Sequence, residues 1–201
     1  MSVWNERYNT DKYIYGTVPN DFLVQVATYL PAGRILSLAA GEGRNEVYLA
    51  QQGYAVTAVD SSAVGLAKAQ RLAAAQGVSI ITVTADLTTY PIASATWHGI
   101  VSIFCHVPSA ARRAMLARVV AGLVPGGVFV LEAYTPRQLE RGTGGPPDRD
   151  RLITLAALQA ELQGLAFIIG QEIERDIREG HYHNGRSEVV QVVARKPATV
   201  D

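Results

Sequence analysis

The stretch that most constrains this chain is Ile35-Leu-Ser-Leu-Ala-Ala-Gly-Glu-Gly-Arg-Asn45, followed by Val56-Thr-Ala-Val-Asp60. A short apolar run ends in a Gly-x-Gly turn, a helix begins, and a second apolar run ends in an acid. In open α/β sheets a ligand sits outside the carboxyl ends of the strands, at the point where the strand order reverses. Glycines there let the backbone approach a ligand with no side chain between them. Asp60 lies 17 residues after Gly43, about the interval at which an acid at a strand end reaches ribose hydroxyls. The pattern therefore predicts an adenosine-type cofactor.

The rest of the chain repeats the theme. Apolar runs at 34–38, 55–60, 80–84, 99–104 and 128–133 are short and do not alternate strictly, as expected of strands covered on both faces. Helices are expected between them. Ser61-Ser62 can cap one that ends at Gly77, and Ser109 can cap another with Leu116, Val119, Val120 and Leu123 on one face. Asn20 or Asp21 opens an earlier helix through Tyr29. Alternation of this kind predicts an α/β fold with a doubly wound, mostly parallel sheet. After residue 150 the pattern changes to a helix at 154–163 and two strands, 166–175 and 187–195. Their connection around residues 179–185 is too short for a crossover helix, so they should pair antiparallel. The Gly/Pro-rich stretch 141–147 is expected to be a loop near the carboxyl ends of the strands. A single domain over 1–201 is expected, with 1–30 an N-terminal lid and helix segment, 31–135 the cofactor-binding core and 136–201 a C-terminal helix and hairpin.

Composition narrows the partners. Lys plus Arg and Asp plus Glu are 18 each, so the net charge is zero, which weighs against a chain that must neutralise many phosphates. At 48% hydrophobic and 18% charged residues the sequence is not that of a disordered protein. The one cysteine, Cys105, forms no internal disulfide, and no signal peptide or membrane span is visible, so a cytoplasmic location is expected. A small-molecule partner is expected, with no nucleic acid and no membrane, acting on a monomer or at most a weak dimer.

The turn also discriminates between cofactors. A dinucleotide fingerprint G-x-G-x-x-G/A needs a small residue where Glu46 stands. Glu42 would place a carboxylate where a pyrophosphate lies, and like charges repel. No G-K-[ST] follows, which excludes a P-loop. A ligand with a cationic centre and an ammonium, such as S-adenosylmethionine, tolerates these acids.

The run LSLAAGEGRN…VTAVDSS…ADL…LVPGGVFVLEAY resembles class I S-adenosylmethionine-dependent methyltransferases. The beginning, WNERY…YIYGTVPNDFL, and the end, from Glu174 to Lys196, are similar to the small-molecule branch that includes tellurite-resistance and thiopurine-type methyltransferases. The resemblance implies seven strands, the last inserted antiparallel between the fifth and sixth. It implies that Gly41 and Gly43, with Arg44 and Asn45 beside them, pass the methionine part of the cofactor. Asp60 and Ser61 would lie at the ribose, and Asp86 and Leu87 at the adenine. Phe104, Cys105 and His106 would stand beside the sulfonium, with Tyr15 and Gly16 closing over it. The sequence departs from the family's D-x-G-x-G-x-G at two positions: Ser37 stands where the acid is usual and Ala39 where the first glycine is. Glu42 or Glu46 are the acids at hand to substitute.

On the substrate side the expected residues are His106, Tyr134, Arg186 and His181. His106 follows the fourth strand and could take a proton; Tyr134 ends the fifth and is preferred over Glu132. Arg186 or His181 could face an anionic substrate. His181 and His183 have no third ligand at a matching spacing, so no metal is expected. Zero net charge can thus hide a polarised cleft, with Glu42, Asp60 and Asp86 around the cofactor and Arg44 and Arg186 toward the substrate. The sequence reading is a methyltransferase acting on a small nucleophile by in-line transfer. A cofactor-binding regulator with little turnover and a nicotinamide-dependent oxidoreductase are the alternatives.

Overall fold

The computed structural model describes residues 3–198. Seven strands form one sheet in the order β3-β2-β1-β4-β5-β7-β6. These are β1 (Arg34–Leu38), β2 (Ala55–Asp60), β3 (Ile81–Thr84), β4 (Trp97–Ile103), β5 (Leu123–Tyr134), β6 (Ala166–Glu179) and β7 (His183–Arg195). β1 pairs parallel with both β2 and β4, and β7 pairs antiparallel with both β5 and β6. The expected architecture, including the inserted antiparallel strand, is the observed one.

Six helices flank the sheet: α1 (Val3–Tyr8), α2 (Asp21–Val26), α3 (Arg44–Gln51), α4 (Ala63–Ala75), α5 (Ser109–Gly122) and α6 (Leu155–Glu161). Neighbouring strand residues point to opposite faces, and each face has its own core. Leu36, Ile100, Phe129 and Leu131 face Leu116 and Val119 of α5 and Leu158 of α6. Ile35, Val101, Val128 and Val130 face Phe22, Leu23 and Val26 of α2 and Leu49 of α3. This two-sided burial is why the strands read as nearly continuous apolar runs.

Of the expected caps, Asn20 and Ser62 hold and Ser109 does not, while Thr154, expected inside the last helix, caps it instead. Asn20, Ser62 and Thr154 each accept a hydrogen bond from the third residue of the helix that follows. Ser109 is instead the first residue of α5, and its amide donates to the Asp150 carboxylate at 2.9 Å.

The terminal hairpin is longer than expected. β6 runs to Glu179 and β7 starts at His183, so most of the predicted connection is strand. Pairing of β7 with β5 stops at Tyr134↔Val189, whereas pairing with β6 continues to Glu179↔His183. The end of the hairpin therefore overhangs the carboxyl end of β5. β1, which leads to β2 on one side and borders β4 on the other, marks the switch point.

Candidate functional site

The loop leaving β1 is left-handed at three positions: Ala39 at φ +59°, Gly41 at +55° and Gly43 at +89°. The family's first glycine thus falls where the backbone needs positive φ, and Ala39 adopts that conformation with a side chain. Asp60, at the end of β2, accepts hydrogen bonds from the amides of Gly41 and Ser62, each at 2.8 Å. Burial pushes its carboxyl up, against the lowering effect of these amides. The two glycines do different work. A Cβ on Gly43 would come within 2.5 Å of the Ala69 methyl, so its bareness serves the packing of α3 on α4 rather than ligand approach alone. At Gly41 a Cβ would come within 2.8 Å of the Tyr8 hydroxyl.

The acids of the loop part ways. Glu42 forms a buried ion pair with Lys68 of α4, and its other oxygen accepts the Ile14 amide at 2.7 Å. Lys68 also donates to the carbonyls of Thr10 and Lys12, at 2.9 and 2.6 Å. Glu42 is therefore a clamp on residues 8–15, not a carboxylate free to face a cofactor as expected. Glu46, in the first turn of α3, is 1% exposed and accepts a hydrogen bond from Ser37 Oγ. Its second oxygen is buried without a hydrogen-bond partner among the described residues. Burial, against the Ser37 hydrogen bond, raises its carboxyl to about 7.

Across the switch point, Phe104 follows β4 with φ +53°, a conformation that a bulky residue rarely adopts. It anchors a group of rings. Phe104 lies 4.7 Å from Tyr134 and 4.6 Å from His183, centroid to centroid. His106 stacks on Tyr134 at 5.5 Å, and Tyr15 reaches His183 at 4.6 Å. His106 Nδ1 is 3.0 Å from the Arg151 carbonyl. A carbonyl only accepts, so Nδ1 carries the proton and Nε2 keeps its lone pair. Nε2 of His106 and Nδ1 of His183 are both buried with no hydrogen-bond partner among the described residues. Burial lowers His106 to about 4 and also lowers His183, so both rings are neutral near pH 7. Burial also raises Cys105 to about 12, which leaves no thiolate beside the rings.

Below the overhanging hairpin lies a buried charge network that the sequence reading missed. Glu132 accepts two hydrogen bonds from Arg175, at 2.9 and 2.8 Å, and others from Asn20 and Gln191. Glu179 binds Arg175 at 3.1 Å and Arg44 at 2.5 Å. Burial works against the charge of Arg175, yet the two carboxylates hold its pKa above the ordinary value. Asn45 accepts the Asn20 amide at 2.9 Å. Arg44 and Asn45 thus tie α3 to the hairpin and the N-terminal segment.

The structure brings Tyr15, Phe104, His106 and Tyr134 together and adds His183 to them. It does not bring His181 or Arg186. The His181 side chain is exposed against Tyr182, while its amide donates to the Ile14 carbonyl at 2.8 Å. Arg186 is exposed and pairs with Glu174 on the outer face of the hairpin. Asp86 is exposed, held below the usual carboxylate range by the Thr88 amide and hydroxyl, and Leu87 next to it is buried. Ser61 is exposed, and its amide also bonds to Asp60. Beside Tyr134 the 142–147 loop and the hairpin turn line a cavity of about 420 Å³ that holds Thr143, His181, Tyr182 and Asn184 and no Lys, Arg, Asp or Glu, so His181 stands at this cavity and not in the ring group.

Residues 35–127 match a family described as a methyltransferase domain. No curated protein matches the chain by sequence. Its fold is similar to that of a protein solved for the conversion of a disulfide bond into a thioacetal group during echinomycin biosynthesis, with TM-score 0.77, 16% identity, and 98% of this chain and 89% of that one covered. It is also similar to TehB from Haemophilus influenzae, with TM-score 0.74 and 19% identity, covering 96% of this chain and 65% of TehB. A third is an S-adenosylmethionine-dependent methyltransferase from Clostridium acetobutylicum, with TM-score 0.67, 15% identity, and coverage of 96% and 95%. The residues fit the cofactor of that family: a buried carboxylate oxygen of Glu46 has no hydrogen-bond partner among the described residues, and Asp60 stands at the switch point. The match of residues 35–127 to the methyltransferase-domain family implies S-adenosylmethionine as the cofactor, and the fold of the chain resembles the S-adenosylmethionine-dependent methyltransferases, TehB among them.

Proposed function

We propose that the chain methylates a small nucleophilic acceptor, bound among the rings of Phe104, Tyr134, His106 and His183. The observation that carries this reading is a pair of half-buried, neutral imidazoles, each with one buried nitrogen that has no hydrogen-bond partner among the described residues. Native proteins rarely leave such atoms unsatisfied away from functional sites. When bound, S-adenosylmethionine supplies an electrophilic methyl group, so the protein's share is alignment and exclusion of water. Asp60 and Glu46 face a cationic ligand with carboxylates, Asp86 and Leu87 stand where an adenine would meet them, and Tyr15 closes over the rings. His106 Nε2 accepts the hydrogen bond of an X–H acceptor and takes its proton as the new X–C bond forms. His183 holds the acceptor from the other side. An imidazole this hard to protonate is a weak base, which suits thiol or other acidic X–H groups better than alcohols. The cavity beside Tyr134, lined by His181 and otherwise by neutral residues, is a suitable approach for a small molecule. A single domain in a reducing, cytoplasmic setting remains our reading of the chain.

The test is a panel of thiols, oxyanions and small amines incubated with a labelled methyl donor. Label should enter one of the small molecules. Label entering only protein extracts would overturn the small-molecule assignment, and calorimetry showing NADH but not S-adenosylhomocysteine binding would overturn the methyltransferase reading.

A further inference from the structure

We propose that Glu46 binds the ammonium group of the cofactor's amino acid part, replacing through α3 the acid that is missing at position 37 of β1. This rests on the cofactor given above. Ser37 ends in a hydroxyl in the middle of the sheet, between Ala58 of β2 and Val101 of β4. That hydroxyl donates to one oxygen of Glu46 and fixes the carboxylate beside the strand end. The other oxygen is buried and unpaired among the described residues. A buried carboxylate with one empty acceptor position is costly unless it is protonated or a donor arrives. An ammonium supplies both a donor and the opposite charge. The alternative acid, Glu42, is already committed to Lys68 and to the backbone of Ile14 and Tyr15.

The charged and polar groups facing Glu46 are Ser37 from β1, Arg44 from its own helix and Asp60 from β2. Burial holds the empty carboxyl at about 7, so at pH 6 it is mostly protonated. An arriving ammonium favours the ionised form, so binding releases a proton below pH 7 and little above pH 8.

Calorimetry with S-adenosylhomocysteine and its deaminated analogue, in buffers of different ionisation enthalpy, tests this. Wild-type protein should bind the amine-bearing ligand more tightly, with proton release at pH 6. Glu46→Gln should weaken that ligand about 10- to 100-fold, leave the deaminated analogue nearly unchanged and abolish the proton release. The exchange variant Ser37→Asp/Glu46→Ser should restore the preference for the amine, and circular dichroism checks that both variants fold. Unchanged discrimination in a folded Glu46→Gln protein overturns the proposal while leaving the cofactor in place. Failure of wild-type protein to bind S-adenosylhomocysteine overturns both.

Discussion

The Arg151 carbonyl lies 3.0 Å from Nδ1 of His106 and so decides which nitrogen of that ring can act as a base. His106→Gln keeps an amide in the space but has no imidazole lone pair. Turnover should fall by about 10²-fold, the usual yield of a positioned base, with little change in S-adenosylhomocysteine affinity. Because burial depresses His106 to about 4, the wild-type rate should stay level from pH 5 upward as far as this group is concerned, and fall below pH 4. At saturating cofactor, which removes the Glu46 contribution, a rate that instead drops between pH 7 and 6 would remove His106 from this role.

Glu46 also predicts a pH dependence of stability. Its folded value is raised to about 7 from 4.5, so the folded state holds this proton more tightly than the unfolded chain does. The favourable contribution is complete below pH 4.5 and is lost as pH rises to 7. Glu46→Gln cannot titrate. Urea denaturation should find it close to wild type at pH 4.5 and more stable at pH 8, by at most roughly 3 kcal/mol. Equal stability at both pH values would show that the carboxylate is not buried as described.

Lys68 and Glu42 are both almost fully buried. Lys68→Met strands the Glu42 charge and frees residues 8–15 from one of their anchors, at an expected cost of about 3–5 kcal/mol. The double variant Lys68→Met/Glu42→Gln removes both charges and should recover much of that loss in chemical denaturation. Additive losses would contradict a coupled pair.

Ala39 carries a side chain at φ +59°. A left-handed conformation costs a non-glycine residue about 1–2 kcal/mol, part of which the flexibility of glycine in the unfolded chain offsets. Ala39→Gly should therefore raise the melting temperature by roughly 1–3 °C. A lower melting temperature would mean that the Ala39 methyl contributes packing that outweighs its strain.

The five parallel strands and two helix caps could be read from the sequence because their causes are local: apolar runs of five or six residues, and Asn20 and Ser62 just ahead of helices. The charge network could not. Arg44 and Glu179 are 135 positions apart, and nothing near either names its partner. His183 was passed over because the hairpin turn was placed too broadly. Gly180, with φ +72° and packed so tightly on Ile14 and Tyr15 that a Cβ would collide with them, marks the true turn. The sequence offers Glu42 and Glu46 as stand-ins for the acid absent at Ser37, and only the structure, with Glu42 held by Lys68 and Glu46 by Ser37, separates them.

The hairpin that completes the sheet also decides which side chain meets Phe104. Successive strand residues face opposite ways. Turning His183 away would need a one-residue slip of β7, which would also turn Val189, Val190, Val192 and Val193 out of the cores they fill, so the register that buries those valines is what aims His183 at the rings. The side chain presented to Phe104 is thus held by the packing of the core and not by the turn, so turn length can vary while the ring group keeps its composition.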